Sequence, residues 1–144
     1  MIIGIGTDII DIKRIEKVIN RFGDRFKKRV FTPKEIYKCE ARKLSVNSYA
    51  KRYAAKEACS KALGTGFSNS VYWKDIEVVN NKYGKPELFL HNGAKTMLEN
   101  LLPKNTIGQI DLSITDEYPY AQATVIITCT DWRYEINEKN KYNW

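Results

Sequence analysis

The first third of the chain combines one strand pattern with helical patterns. Residues 2–8 (IIGIGTD) mix β-branched residues with two glycines, which predicts a short strand that another backbone can approach closely. Apolar residues then recur three and four positions apart from Ile12 to Phe26, which predicts an amphipathic helix. Gly23 lies inside this stretch and is expected to weaken the helix or end it early.

Two more helices are predicted before residue 66. Thr32, Pro33 and Glu35 form a helix start, with threonine as the N-cap and glutamate three residues later, and this short helix covers about 33–43. Residues 46–63 form the strongest helical pattern, and Gly64 is the residue that closes it. The basic first half of the chain is therefore predicted to be mostly helical.

The second half of the chain is richer in strand patterns. The last two strands flank a turn that contains Asp116 and Pro119, which predicts a hairpin. Together the patterns predict a single α+β domain over residues 1–130, with helices packed on a small antiparallel sheet, and a polar, aromatic-containing C-terminal extension over 131–144. The predicted strands are 73–79, 87–91, 109–115 and 121–130, and the predicted helix is 94–102.

Composition narrows the class of protein. The chain has 144 residues, 43% of them apolar and 28% charged, which suits one folded domain rather than a disordered or fibrous chain. No apolar run approaches the roughly 20 residues of a membrane span, and no basic segment precedes the first apolar stretch, so we expect a cytoplasmic protein. The cysteines have no CxxC spacing and only one histidine accompanies them, which argues against a structural zinc site. We expect Cys59 and Cys129 to pack in the core and His91 to have no chemical role.

Charge is unevenly distributed along the chain. Residues 1–66 contain 16 of the 24 Lys and Arg but only 7 of the 17 Asp and Glu. Such a basic half attracts phosphates, nucleic acid, an anionic membrane or an acidic protein, although surplus lysines can also serve only solvation. Within it, five cations recur three or four positions apart along the first helical pattern. This cationic ridge consists of Arg14, Lys17, Arg21, Arg25 and Lys28.

Two carboxylates in this basic half are the candidates for chemistry. Asp8 ends the first strand, and Glu57 lies among small residues on the long helix, where it shares a face with Tyr53 and Lys61. Paired carboxylates beside cations suit Mg²⁺ that also binds substrate phosphates. Spacing alone favours a simpler interpretation, an ordinary exposed ion pair between Glu57 and Lys61. A nucleic-acid-binding module is a third interpretation, but it leaves both carboxylates unexplained, and the cations show neither an RNP-type nor a helix-turn-helix pattern.

Several motifs occur in an order typical of one family. They are GIGTDIIDIKRI at 4–15, RYAAKEACSKALGTG at 52–66, WKDIEV at 73–78, YGKP at 83–86 and LSITDEYPYAQATV at 112–125. The chain resembles the 4′-phosphopantetheinyl transferases that act as holo-[acyl-carrier-protein] synthases, from residue 1 to about residue 128. The resemblance implies transfer of phosphopantetheine from coenzyme A to a serine of an acyl carrier protein, releasing 3′,5′-ADP, in support of fatty acid biosynthesis.

The resemblance also implies roles for particular residues. Asp8 and Glu57 match the residues that bind Mg²⁺ in the family, and Lys61 matches a phosphate-contacting lysine that we expect to be catalytic. Acidic carrier proteins dock on the family's first basic helix, and the family assembles as a trimer with active sites between subunits. Coenzyme A contacts are expected from Arg52, Lys61, Gly84, Lys85 and Pro86. Carrier-protein contacts are expected from Arg14, Arg21 and Arg25, supported by Lys28 and Arg29.

One segment departs from the family pattern. The family's strand near the C-terminus often reads H-x-S-x-S-H, whereas Asp111 and Asp116 replace the two histidines here. Asp111 could be a catalytic base, a group that orients a metal ligand, or a structural carboxylate. The general base is therefore open between Asp111 and a metal-bound water. An inactive homologue that only binds carrier protein is the remaining alternative.

Overall fold

The fold is built on a three-stranded antiparallel sheet, in the order β1-β5-β4, against which the long helix α4 packs. A second, two-stranded antiparallel sheet is formed by β2 and β3. The computed structural model describes residues 1–131, and it confirms the predicted α+β class. Of the predicted extension, only Asp131 belongs to the described residues. The elements are β1 (Ile2–Asp11), α1 (Ile12–Phe22), α2 (Asp24–Val30), α3 (Pro33–Glu40), α4 (Ser45–Ala62), a 3₁₀ turn (Trp73–Asp75), β2 (Ile76–Asn80), β3 (Pro86–Leu90), α5 (Asn92–Leu101), β4 (Thr106–Glu117) and β5 (Tyr120–Asp131).

The two faces of the three-stranded sheet have different surroundings. Directly opposed residues in antiparallel strands point to the same face, and successive residues alternate between faces. The alternate residues of β5 from Ala121 to Cys129 are buried and define the face that packs on α4. Register pairs Asp8 with Ala123 and Ala123 with Ile114, so the Asp8 side chain points to this inner face.

Glycines allow β1 to lie directly on α4. A Cβ atom at Gly6 would collide with the carbonyl oxygen of Ala58, and one at Gly4 would collide with that of Ala62. Small residues on both elements thus bring the two backbones together, as the glycines of the first strand predicted. The approach matters because it places Asp8 within reach of side chains on the same helix.

A fully buried ion pair covers the outer edge of β2. The Lys56 ammonium lies 2.7 Å from Glu35 Oε1, and both side chains are 0% exposed. Lys56 also donates to the carbonyl oxygen of Ile76, while Glu35 Oε2 accepts from the backbone N–H of Val78 at 3.2 Å. Side chains of α3 and α4 therefore satisfy the backbone groups that a neighbouring strand would otherwise pair.

Several element bounds differ from the predicted ones by up to three residues, and two differences have a clear local cause. Gly23, at φ 53°, ends α1, and a separate helix α2 starts at Asp24, so the cationic ridge lies on two helices rather than one. The strand predicted from residue 73 begins at Ile76, because the Asp75 carboxylate accepts from the backbone N–H of Tyr72 and closes a 3₁₀ turn. Cys39, Cys59 and Cys129 are buried free thiols, which confirms the expectation for the last two.

Candidate active site

The two candidate carboxylates lie close to each other, between β1 and α4. The Lys61 ammonium donates to Asp8 Oδ1 at 2.8 Å and to the backbone carbonyl of Thr7 at 3.0 Å. Lys61 thus bonds to the strand, and the alternative of an isolated Glu57–Lys61 surface pair does not describe its geometry. The fold thus places the Lys61 ammonium near two carboxylates, those of Asp8 and Glu57.

Burial and the repulsion between two carboxylates together set the ionisation of this cluster. Burial, and then the charge of Asp8, raise the pKa of Glu57, while Lys61 and the Tyr53 hydroxyl oppose the shift. Burial, followed by Glu57 and Asp8, also raises the pKa of the Tyr53 phenol. The Tyr53 ring lies tilted against that of Trp73, with 4.7 Å between the ring centroids. Two carboxylates that repel each other in a half-buried position form a site that a further cation would stabilise.

The donor set suits one kind of metal ion. Within residues 1–131 no group of three or more His, Cys, Asp or Glu side chains is arranged to hold a metal. Asp8 and Glu57 would therefore supply two protein carboxylates. This number fits Mg²⁺, which commonly binds one or two carboxylates and completes its octahedron with substrate phosphates and water.

A second candidate site is a groove of about 540 Å³ beside α4. It is strongly basic and includes three of the residues predicted to contact coenzyme A, namely Arg52, Gly84 and Pro86. The sequence analysis did not predict the remaining lining residues, although the closely spaced cations between residues 42 and 52 could have indicated a basic site. The further lining residues are Arg42, Lys43, Leu44, Asn47, Ser48, Lys51, Val78, Asn80, Ile114 and Asp116.

Arg52 is positioned by its neighbours in the groove wall. Its guanidinium donates to Ser48 Oγ at 2.7 Å and to Asn80 Oδ1 at 3.0 Å, and only 7% of the residue is exposed. Its Nε has no hydrogen-bond partner, and among the described residues no other buried side-chain nitrogen or oxygen lacks one. A buried donor without a partner is costly, and a ligand oxygen, such as that of a phosphate, is an acceptor that would relieve the cost.

The turn between β2 and β3 forms another part of the groove. Asn80 Nδ2 donates to the carbonyl of Gly84, and Asn81 Oδ1 accepts from the backbone N–H groups of Tyr83 and Lys85. Gly84 has φ 83°, a conformation that favours glycine. Pro86 borders the groove and also an adjoining hollow, which contains Lys85. The turn therefore presents Gly84, Lys85 and Pro86, which are predicted to contact coenzyme A, along the groove's edge.

The basic groove and the carboxylate pair lie on opposite sides of α4. Arg52 and Lys61 are nine residues apart, which is two and a half turns at about 3.6 residues per turn. The contacts agree with this, because Arg52 reaches Asn80 on β2 whereas Lys61 reaches Asp8 on β1. A single copy of the chain therefore does not gather the predicted phosphate ligands around one point.

Asp111 points away from the carboxylate pair of the same chain. It is paired in register with Ile126, which places it on the outer face of the sheet, whereas Asp8 is on the inner face. Gln109 Nε2 donates to both of its carboxylate oxygens, at 3.2 and 3.0 Å. Asp111 also lines the hollow that adjoins the groove at Pro86. No direct role at Asp8 and Glu57 of its own chain is open to it.

The cationic ridge is exposed along its length. Arg14 and Arg21 lie on α1, and Arg25, Lys28 and Arg29 lie on α2, with every one of these side chains open to solvent.

His91 precedes α5, and its Nε2 lies 3.3 Å from Glu77 Oε1. Among residues 1–131, no helix has both the length and the apolar character to cross a bilayer.

Comparison with known proteins assigns the class. Residues 4–123 match the model of the 4′-phosphopantetheinyl transferase superfamily. The chain therefore belongs to this superfamily of phosphopantetheinyl transferases. Within it, the chain is an enzyme of the holo-[acyl-carrier-protein] synthase type. The alternatives of a nucleic-acid-binding module and an inactive homologue are therefore set aside.

The relatives are similar over nearly their whole length. The holo-[acyl-carrier-protein] synthase of Agrobacterium fabrum is 58% identical over 127 residues, which are 88% of this chain and 95% of the relative. The crystal structure of the synthase from Neisseria meningitidis has 38% identity and a TM-score of 0.79, covering 89% of this chain and 99% of that one. The synthase from Helicobacter pylori in complex with coenzyme A has 32% identity and a TM-score of 0.73, covering 86% and 99%.

Proposed function

We propose that the enzyme transfers 4′-phosphopantetheine from coenzyme A to a serine of an apo-acyl carrier protein in an Mg²⁺-dependent reaction, and that it supports fatty acid biosynthesis. The serine oxygen attacks the phosphorus that carries the pantetheine, and the bond from that phosphorus to 3′,5′-ADP breaks. The serine proton passes to a base, and 3′,5′-ADP leaves. The observation that carries the proposal is the contact of Lys61 with Asp8 beside Glu57.

Each residue of the carboxylate cluster has a part in this proposal. Asp8 and Glu57 would hold Mg²⁺, which supplies positive charge to the pyrophosphate of coenzyme A. Lys61 binds Asp8 through an exposed ammonium, so the same group can donate to a phosphate oxygen. Phosphoryl transfer depends mainly on positioning and on stabilising negative charge, and both roles fit these side chains.

The basic groove would bind the nucleotide part of coenzyme A. Arg52 is fixed by Ser48 and Asn80 and has a buried donor without a partner, which supports a phosphate as its ligand. Gly84, Lys85 and Pro86 line the adjoining edge, where the chain turns closely enough for backbone to approach a ligand. The structure of the Helicobacter pylori relative contains coenzyme A, which supports this class of ligand.

We infer that the complete active site is assembled between copies of the chain in a trimer. The groove and the carboxylate pair face different directions from one helix, so a second copy is needed to bring them together. The outer face of the sheet offers an apolar surface for such contact, because Ile5 and Ile9 are 59% and 63% exposed. Asp111 lies on this outer face too, which supports a role in a site shared between copies.

The cationic ridge would bind the carrier protein. Arg14, Arg21 and Arg25 lie exposed on two consecutive helices, and opposite charge on an acidic partner would speed encounter and fix orientation. This role is separate from the groove, because the ridge residues do not line it.

The first experiment tests the reaction. The purified protein is incubated with apo-acyl carrier protein, coenzyme A and Mg²⁺, and the carrier is examined for a mass increase of one phosphopantetheine group. We expect product with the wild type, none without Mg²⁺, and little with Asp8→Ala or Glu57→Ala. Glu99→Gln, an exposed change on α5, is the control and should retain activity. Absence of product with the wild type would refute the proposal.

A second experiment tests the shared site. Arg52→Ala and Asp8→Ala are prepared separately, and the two variants are then mixed by unfolding and refolding them together. If the two residues act from different copies, some mixed assemblies contain an intact site and activity returns. If they act within one copy, no mixture recovers activity, which would contradict the shared site but not the reaction.

A further inference from the structure

The basic groove contains one carboxylate. Of its lining residues, Arg42, Lys43, Lys51 and Arg52 are cations and only Asp116 is an acid. A carboxylate in a groove proposed to bind a polyanionic nucleotide opposes binding by repulsion.

Asp116 forms an ion pair across the groove. Its Oδ1 lies 3.5 Å from the Lys51 ammonium, and both side chains are 36% exposed. Lys51 belongs to α4, next to Arg52, and Asp116 belongs to the end of β4, so the pair joins two walls of the groove. Among the contacts described for residues 1–131, Lys51 is the ionic partner of Asp116, and neither group is needed to satisfy a buried backbone atom.

We propose that Asp116 is a counter-ion that holds Lys51 in the empty groove and competes with the nucleotide's phosphates for it. When coenzyme A or 3′,5′-ADP binds, a phosphate oxygen replaces the carboxylate oxygen at Lys51. The exchange weakens nucleotide binding and so favours release of 3′,5′-ADP after transfer. This inference rests on the proposed function, because it assumes that the groove binds the nucleotide.

The sequence alone does not reveal this pairing. Lys51 and Asp116 are distant in the chain. In the sequence, Asp116 is notable only because it replaces a histidine of the family pattern. On β4, Asp111 and Asp116 are five residues apart and so point to opposite faces of the sheet. Only Asp116 therefore enters the basic groove, and the two aspartates have different surroundings.

The test measures the dissociation constant of 3′,5′-ADP by calorimetry. Four proteins are compared: the wild type, Asp116→Asn, Lys51→Ala and the double variant. We expect Asp116→Asn to bind about three- to fivefold tighter, the range available to a partly exposed ion pair, and the gain to shrink at high salt. We expect Lys51→Ala to bind more weakly. Adding Asp116→Asn to Lys51→Ala should change affinity less than about twofold, because the pair no longer exists.

Glu117→Gln is the matched control. It makes the same change of net charge at the neighbouring exposed position of β4, which does not line the groove, and it should leave affinity almost unchanged. The proposal is overturned if Asp116→Asn binds unchanged or more weakly, the second result meaning that the carboxylate accepts hydrogen bonds from the ligand. An equal gain with and without Lys51 also overturns it. If the wild type forms holo-carrier protein, these results refute only the counter-ion role of Asp116. If the wild type neither binds 3′,5′-ADP nor forms product, the proposed function fails as well.

Discussion

Lys61 Nζ lies 2.8 Å from Asp8 Oδ1, although the two residues are 53 positions apart in the sequence. The contact joins α4 to β1 and places one cation beside two carboxylates. Because Glu57 belongs to the same cluster, its ionisation is opposed by burial and by Asp8. This shortage of positive charge has consequences that can be measured without the reaction.

Glu57→Gln should stabilise the protein while removing its function. The raised pKa of Glu57 means that the folded state binds this proton more tightly than the unfolded chain does. Stability therefore falls as pH rises from the ordinary glutamate value of 4.5 through the raised folded pKa, and the loss persists above it. At neutral pH we expect the variant's Tm to be about 2–4 °C higher, measured by thermal unfolding.

Two conditions check the cause of that gain. Below about pH 4, where the carboxyl is protonated in folded and unfolded states alike, the difference should disappear. Adding Mg²⁺ should raise the Tm of the wild type but not that of Glu57→Gln. A gain in Tm that is independent of pH would contradict this explanation.

Gly6→Ala should disrupt the contact between β1 and α4. The new Cβ would collide with the carbonyl oxygen of Ala58, which belongs to helix backbone and has little freedom to move. We expect a loss of about 3 kcal/mol or more in the free energy of unfolding, measured with urea. Gly108→Ala is the control, because its nearest neighbour is the flexible Leu102 side chain at 3.0 Å. Equal losses in both variants would show that close backbone approach is not the cause.

Lys56→Met should be more destabilising than its hydrophobic side chain suggests. The substitution leaves Glu35 buried without its partner, and breaking a buried pair in this way costs about 3–5 kcal/mol. Adding Glu35→Gln should recover part of the loss, because the amide is neutral and its oxygen can still accept from the Val78 N–H. Urea unfolding of both variants measures the difference. No recovery in the double variant would mean that lost packing dominates.

Arg21→Glu should affect the carrier protein and not coenzyme A. The side chain is exposed on α1 and does not line the groove, so reversing its charge should raise the KM for carrier protein about tenfold at low salt. The KM for coenzyme A should stay within about twofold, and the effect should weaken as salt increases. Lys95→Glu, exposed on α5, makes the same charge change away from the ridge and serves as the control. Equal increases in both KM values would contradict the docking role.

Much of the helical and strand content follows from local pattern. The capping box of Thr32 and Glu35, the long helix around Glu57 and the last hairpin each depend on neighbours in the chain, and each was predictable. For the first helix, the sequence predicted only that Gly23 weakens the helix or ends it early, and not that a second helix starts at Asp24. Whether a glycine ends a helix depends on packing on both of its sides.

The sequence by itself determined the α+β class, the family resemblance and the candidate residues Asp8, Glu57 and Lys61, because these depend on residue types at short spacings. Tertiary structure decided which side chains meet. It paired Lys61 with Asp8, brought Arg52 against Asn80 of β2, and placed Asp116 beside Lys51. The reason is physical: helix rotation and strand register assign each side chain to a face, and only packing between distant segments decides what that face contacts.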